Sequence, residues 1–333
     1  MNIFLRALTS KPITAIMNAI LGHYVTIYMI HRPRPVDGAY EGVNPKLLEQ
    51  CILYAKKAGF EFSSIDEVVA NSLSAKKPKC PTLCFTLDDG YQDQLDQLVP
   101  ILLKHNCKPT LFTITDMVEG IDWPWDSKIS FAISNTKKNS VNFSFTGHQF
   151  NLLLNTQDDR RQSRRQLIRF GKNLSSDQLA AYCKELLELL GFELDQSAPL
   201  PYKPCTWESL RQAEKMGLRI GSHACSHRVF TSLSDAEVKF ELTKAQQLLK
   251  QELNAPSKIF CYPSGTFNDF SINHSILVKE TSFFIGAVTS MPGNTNQGKI
   301  RKNPFLINRH SFPDSYEKFI RYTSWLEYLR SKI

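Results

Sequence analysis

The chain has 333 residues, of which 42% are hydrophobic, 11% aromatic and 22% charged. That length buries a sizeable core in one large domain or two medium ones, and ordinary apolar content excludes a chain dominated by disorder; 15 Gly and 17 Pro, scattered without period, exclude collagen-like and low-complexity classes. Lys and Arg (40) exceed Asp and Glu (32), and the resulting +8 biases the protein toward anionic partners such as membrane surfaces, acidic glycans or nucleic acid.

Residues 1–22 read as an amphipathic helix. Arg6 and Lys11 interrupt its apolar run and no cleavable leader follows, so it packs on the body or lies at a membrane surface. No run of 18 apolar residues occurs, so no spanning helix is expected. Residues 23–118 then alternate strand and helix. His23–Ile30 is rich in β-branched and aromatic residues and predicts a strand. A helix over 45–58 ends at Gly59, and Pro81–Leu87 is a second apolar strand that stops at Asp88-Asp89-Gly90. Leu95, Leu98, Val99 and Leu102 have helical spacing, and Thr110–Thr115 is the next strand.

Residues 119–203 break this rhythm. Trp123-Pro124-Trp125 opens the stretch, Val141–Phe150 predicts a hairpin around Thr146-Gly147, and helices follow over 157–170 and 176–190. It reads as a mostly helical insertion on the rim of the main domain. Its Arg160, Arg161, Arg164, Arg165 and Arg169 suit either a solvated helix face or contact with phosphate or anionic lipid. The alternation resumes over 204–312. Thr206 caps a helix to Met216, Leu218–Gly221 is a short strand, and Ser234 with Glu237 makes a capping box for a helix to about Leu253. Ile259–Tyr262, Phe283–Val288 and Phe305–Asn308 are further strands, and residues 313–333 hold a last amphipathic helix over 315–331.

Alternating βα units imply a mostly parallel sheet, open or closed into a barrel, with its site at the C-terminal ends of the strands. Asp88-Asp89, His223, Pro263-Ser264-Gly265 and Arg309-His310 all fall there. Eight cysteines without a CxxC pair point to free thiols in a reducing compartment, hence a cytoplasmic protein that could sit at the inner face of the membrane.

Two adjacent carboxylates ending a buried strand are costly unless paired or bound to a metal, although Asp-Gly is also ordinary turn chemistry. His223 and His227, four apart, would face one ion if they shared a helical turn; alone the spacing often arises by chance. Asp89, His223 and His227 together make a two-His, one-carboxylate set with open positions, while Asp88 would face the substrate.

Phe85–Gly90 (FTLDDG), Gly221–His227 (GSHACSH) and Phe260–Gly265 (FCYPSG), in that order, resemble the motifs of the polysaccharide deacetylase family with the NodB homology domain (carbohydrate esterase family 4). Thr206-Trp207-Glu208 and Leu233-Ser234 match as well, and the resemblance spans roughly 23–118 and 204–312. It implies a distorted (β/α) barrel and metal-dependent removal of acetyl groups from sugars. By the resemblance, Asp88 is the catalytic base, Asp89, His223 and His227 hold the metal, and the Ser264 N–H stabilises the oxyanion. Tyr262, Pro263, Gly265 and His310 would contact substrate. Zn2+ is the expected ion, and the same donors suit Fe2+, Co2+ or Ni2+.

Two positions depart from the family pattern. Ala224 stands where a Ser or Thr usually braces the His loop, so Ser222 or Ser226 would have to replace that bond. Cys261 stands where many members have an Arg that holds the base; Arg309 could supply that contact or serve as a structural ion pair. By the resemblance, the general acid is His31, in Ile30-His31-Arg32-Pro33, in preference to the later His310, with neither of the two as the remaining alternative. The expected activity is hydrolysis of an N-acetyl or related acyl group on an amino sugar of a glycan or lipid-linked saccharide, with peripheral contact to an anionic membrane. Deformylation, or deacetylation of a small amino sugar, uses the same site. A glycan-binding protein with weak catalysis is the reading that Ala224 and Cys261 favour. No nucleic-acid recognition motif is present.

Overall fold

The computed structural model describes residues 3–35, 42–193 and 197–331. Its main sheet holds β1 (Val25–Ile30), β2 (Glu61–Phe62), β3 (Thr82–Asp89), β4 (Thr110–Thr113), β7 (Arg219–Ser222), β8 (Ile259–Cys261), β9 (Gly286–Val288) and β10 (His310–Ser311); β5 (Ser140–Phe145) and β6 (His148–Leu153) form a separate hairpin. The path runs β10-β1-β3-β4-β7-β8-β9, with β2 beside β3, and these strand pairs are parallel. This is the distorted (β/α) barrel expected from the sequence.

The two edges meet at one segment. Ile307 donates its N–H to Ala287 at 3.0 Å on the β9 side, and Phe312 donates to Met29 O at 2.9 Å on the β1 side. Ile307 forms only an isolated bridge to Val288, so the strand expected over Phe305–Asn308 is displaced to His310–Ser311. Arg309 sits inside this seam, which is why one side chain can reach across the mouth.

Parity along β3 sorts its side chains. Leu83, Phe85 and Leu87 point out against Leu48, Cys51, Ile52, Ala55 and Leu102 of the helical layer, whereas Cys84 points into the lumen with Ile27, Phe112, Ile259, Cys261, Val288 and Ile307. Thr86 and Asp88 share the parity of Cys84, so a polar residue two steps past a lumen position must emerge at the mouth. Asn44 caps the helix Pro45–Ala58, and Gly59 ends it in the left-handed conformation.

The inserted stretch builds its own core from the helices Trp125–Asn135, Gln157–Gly171 and Ser176–Leu190 and the β5–β6 hairpin, around Ile129, Phe143, Phe150, Leu167, Tyr182 and Leu186. Of its arginines, Arg160 donates to Ile133 O and Thr136 O and ties helix to helix, while Arg161, Arg165 and Arg169 are exposed and Arg164 is half-buried. The N-terminal helix breaks into Ile3–Leu8 and Lys11–Leu21 at Thr9-Ser10, and the C-terminal one into Tyr316–Tyr322 and Trp325–Arg330. The two ends pack together through Tyr24, Trp325 and Tyr328 against Leu8, Ile13, Met17 and Leu21. All eight cysteines are free.

Candidate active site

The strand ends bring the motif residues to one place. Asp88 closes the lumen row of β3, and the chain turns at Asp89 (φ 83°) and Gly90 (φ 92°). A Cβ on Gly90 would lie 2.4 Å from Thr113 Oγ1, so no larger residue fits this turn. Gln94 locks it: its Oε1 accepts from the N–H groups of Gly90 (3.2 Å) and Tyr91 (2.9 Å), and its Nε2 donates to Asp88 O at 2.6 Å and to His31 O. One buried amide therefore ties the end of β1 to the end of β3.

His223 and His227 do not share a helical turn. They lie on an irregular loop after β7, in which Ala224 (φ 61°) and His227 (φ 60°) are left-handed. Their rings nevertheless approach to 5.1 Å between centroids. His223 Nδ1 lies 2.9 Å from Cys261 O and must donate to it, which leaves the Nε2 lone pair free. The Nε2 atoms of His223 and His227 each lie 3.7 Å from Asp89 Oδ1. That oxygen is buried and has no hydrogen-bond partner among the described residues.

Two imidazole nitrogens each 3.7 Å from one carboxylate oxygen, too far to bond it, with all three atoms within 4.8 Å of one another, have the geometry of a divalent-cation cradle. Ligands about 2.0–2.2 Å from an ion stand roughly 3–3.6 Å apart. Asp88, His223 and Cys261 also lie within 4.8 Å of one another. That second set suits an ion poorly, because Arg309 already occupies Asp88 and lies 3.1 Å from the Cys261 thiol.

Arg309 holds Asp88 in two parallel bonds, Nη1 to Oδ1 at 2.7 Å and Nη2 to Oδ2 at 2.8 Å. Its Nε donates to Thr289 O at 2.9 Å and Nη1 also to Thr86 Oγ1 at 2.9 Å. The Arg contact that Cys261 cannot make thus comes from the seam segment. Burial alone would raise the Asp88 pKa, but the Arg309 charge outweighs it and holds the carboxyl well below the usual range, with His223 and His31 adding to the effect. Burial pushes His223 down to about 4. His227 is driven the other way, up to about 9, because the Asp126 carboxylate outweighs its burial.

The bond missing at Ala224 is replaced twice. The Ala224 N–H donates to Ser222 Oγ at 3.2 Å. Glu241, buried on the helix Asp235–Glu252, accepts from the N–H groups of Cys225 (2.7 Å) and Ser226 (3.0 Å) and from Ser226 Oγ (2.5 Å).

Ser264 is left-handed (φ 59°), and its carbonyl accepts from Ser290 Oγ at 2.5 Å, which fixes the direction of its peptide. A Cβ on Gly265 (φ 70°) would lie 2.8 Å from Ser290 N, so glycine is required there. Tyr262 does not face the mouth. It is buried, its ring stacks on Phe270 at 4.0 Å, and its hydroxyl donates to Phe305 O at 3.2 Å. Pro263 is buried beside it at the start of the turn. His310 has the opposite parity from Arg309, pairs in register with the outward Tyr28, and stacks on Tyr322 at 5.0 Å with Nε2 3.0 Å from Asn294 Oδ1. It stands behind the sheet, away from Asp88. His31 has the parity of Met29 and Ile27, is exposed at the rim, and lies near enough to Asp88 to stabilise its charge.

Sequence reasoning passed over Asp126, Gln94 and Glu241. Asp126 Oδ1, near the start of the helix Trp125–Asn135, lies 3.5 Å from His227 Nδ1.

Residues 172–276 match the sequence profile of the polysaccharide deacetylase family. A comparison with curated proteins finds no match. Among solved structures, the Streptococcus pyogenes deacetylase PplD in complex with acetate is 17% identical and superposes with a TM-score of 0.58 over 90% of this chain and 98% of that one. IcaB from Ammonifex degensii is 14% identical, with a TM-score of 0.57 over 91% and 97% of the two chains. The BpsB deacetylase domain from Bordetella bronchiseptica is 12% identical, with a TM-score of 0.51 over 87% and 97%. At such identities the structures establish the common fold alone, and the profile match is confined to residues 172–276. Residues 172–276 are thus similar in sequence to polysaccharide deacetylases, and the chain shares the fold of the solved deacetylases.

Proposed function

We propose that this protein is a metal-dependent carbohydrate deacetylase that removes an N-acetyl group from an amino sugar of a glycan or lipid-linked saccharide, with Asp89, His223 and His227 holding the cation. One observation carries the reading: Asp89 Oδ1 faces two imidazole nitrogens at 3.7 Å, while the adjacent Asp88 is held ionised by Arg309. The donor set is borderline in softness and suits Zn2+, and also Fe2+, Co2+ or Ni2+. Such a cation, when bound, acidifies a water molecule and polarises the acyl carbonyl.

Asp88 receives the proton of the attacking water. A carboxylate with its proton affinity lowered by Arg309 is a weak base, so the water must be acidified by something else, and the three donors beside Asp88 are suited to hold what does so. The Ser264 N–H donates to the oxygen that becomes negative as the carbonyl carbon turns tetrahedral. As the C–N bond breaks, the amine nitrogen takes a proton from His31, leaving acetate and a free amino sugar. Arg309 keeps Asp88 in its acceptor form until it receives the water proton, and fixed in angle throughout.

The glycan-binding alternative drew on Ala224 and Cys261. Their missing bonds are made by Ser222 with Glu241 and by Arg309, which favours the catalytic reading. For membrane contact, the support is the helix Lys11–Leu21, with Ile16 and Ile20 exposed, no acidic residue in its first turn and Lys11 at its start. No helix among the described residues is long and apolar enough to cross a membrane.

Purified protein loaded with Zn2+ and given N-acetylated saccharides, free and lipid-linked, provides the test by mass spectrometry. A loss of about 42 Da marks deacetylation and about 28 Da deformylation. Absence of both would overturn the reading, and equal rates on free and lipid-linked forms would overturn the lipid-linked part.

A further inference from the structure

The inserted stretch has a core of its own. Its first helix nevertheless docks against both halves of the site. Ser127 Oγ lies 2.7 Å from Tyr91 Oη, and Tyr91 is the second residue after Asp89. Asp126, next to Ser127, lies with Oδ1 3.5 Å from His227 Nδ1. That ring nitrogen is buried and has no hydrogen-bond partner among the described residues, so Asp126 is the acceptor on offer. The other end of the insertion is tied down too. Arg228, next to His227, donates to Leu174 O at 2.8 Å and Ser176 Oγ at 3.0 Å, and Lys172 lies 2.9 Å from Asp269.

From this geometry we infer that Asp126 is a positioning residue for the metal centre: it accepts the Nδ1 proton of His227 and so presents the Nε2 lone pair to the space faced by Asp89. The inference rests on the metal reading above. An imidazole with both nitrogens unconstrained can flip or change tautomer, and either event removes a ligand. His223 is fixed by a backbone carbonyl, Cys261 O at 2.9 Å. For His227 no such carbonyl is offered among the described residues, and a carboxylate from the inserted helix takes its place. A carboxylate behind a ligating histidine also makes it a stronger donor, and its loss weakens metal affinity by about 10–100-fold in comparable sites. The insertion therefore completes the cation cradle.

Metal affinity tests this directly. Zn2+ dissociation constants, from competition with a chromophoric chelator, and the visible spectrum of the Co2+ form are compared for the wild type, Asp126→Ala, Asp126→Asn and Ser127→Ala. Asp126→Ala should weaken Zn2+ binding by about 10–100-fold and alter the Co2+ spectrum. Asp126→Asn, which keeps an acceptor oxygen but loses the charge, should weaken it less. Ser127→Ala, which removes the Tyr91 contact but keeps the backbone N–H that bonds Asp126, should change both readouts less than Asp126→Ala does. Melting of the metal-free proteins shows whether Asp126→Ala folds; if it does not, the near-isosteric Asp126→Asn carries the test. Affinity within twofold of wild type in both Asp126 variants would overturn the inference while leaving the proposed function intact. A wild type that binds no divalent cation would overturn both.

Discussion

Arg309 and Asp88, 221 positions apart in sequence, meet in a two-bond pair at 2.7 and 2.8 Å, each almost wholly buried. Removing one partner of such a pair strands the other as a buried charge. Arg309→Met should therefore cost about 3–5 kcal/mol of stability near neutral pH. The pH dependence has a definite sign. With its folded pKa depressed, Asp88 contributes stability that is complete above the unfolded carboxylate value of about 3.9 and is lost as pH falls through the folded value. Without Arg309, burial raises the folded value, so the penalty is relieved on acidification. Urea melts should show the gap between variant and wild type narrowing as pH falls toward 4.

Asp88→Asn keeps the shape of the base and removes its capacity to take a proton. Turnover should fall by about 10²–10⁴-fold while Zn2+ binding stays within a few-fold of wild type. Kinetics beside metal titration check this, and full activity in the Asn variant would contradict the role of Asp88 as base.

His31 and His310 should separate cleanly. His31→Ala should lower turnover by about 10²-fold or more with metal binding unchanged. His310 is held neutral by burial, its pKa lowered to about 4 against 6.5. Its contribution to stability is present above 6.5 and is lost as pH falls from 6.5 toward 4, by roughly 3 kcal/mol. His310→Phe should flatten stability across that window and spare the chemistry. Loss of turnover in a folded His310→Phe would reverse the two assignments.

Glu241 carries the His loop through two backbone N–H groups and one hydroxyl. Glu241→Ala leaves those donors without an acceptor and should cost about 1–3 kcal/mol. It should also weaken metal binding, because His223 and His227 flank the braced residues. Thermal melting and chelator competition measure the two effects.

The features that sequence made legible are those fixed by local pattern. FTLDDG after an apolar run gives the end of β3, and parity along that strand points Asp88 into the mouth. Four residues expected to share the site, Asp88, Asp89, His223 and His227, are brought together. Other features depend on tertiary closure, which no local pattern encodes. The seam moves the last strand from Phe305–Asn308 to His310–Ser311, and this turns His310 behind the sheet while Arg309 faces in. Tyr262 lies in the FCYPSG motif, yet its ring fills an aromatic cluster with Phe270. The two histidines converge through left-handed residues at Ala224 and His227, where helical spacing suggested a turn. Asp126 and Glu241 are isolated acids in sequence; only the docking of their helices gives them work.

Metal content is the most direct measurement. Wild-type protein, Asp89→Ala and His227→Ala, purified without chelators and then dialysed against equal Zn2+, should be compared by elemental analysis. The account predicts about one ion per chain in the wild type and little retained in either variant. An empty wild type, or three proteins equally loaded, would contradict it.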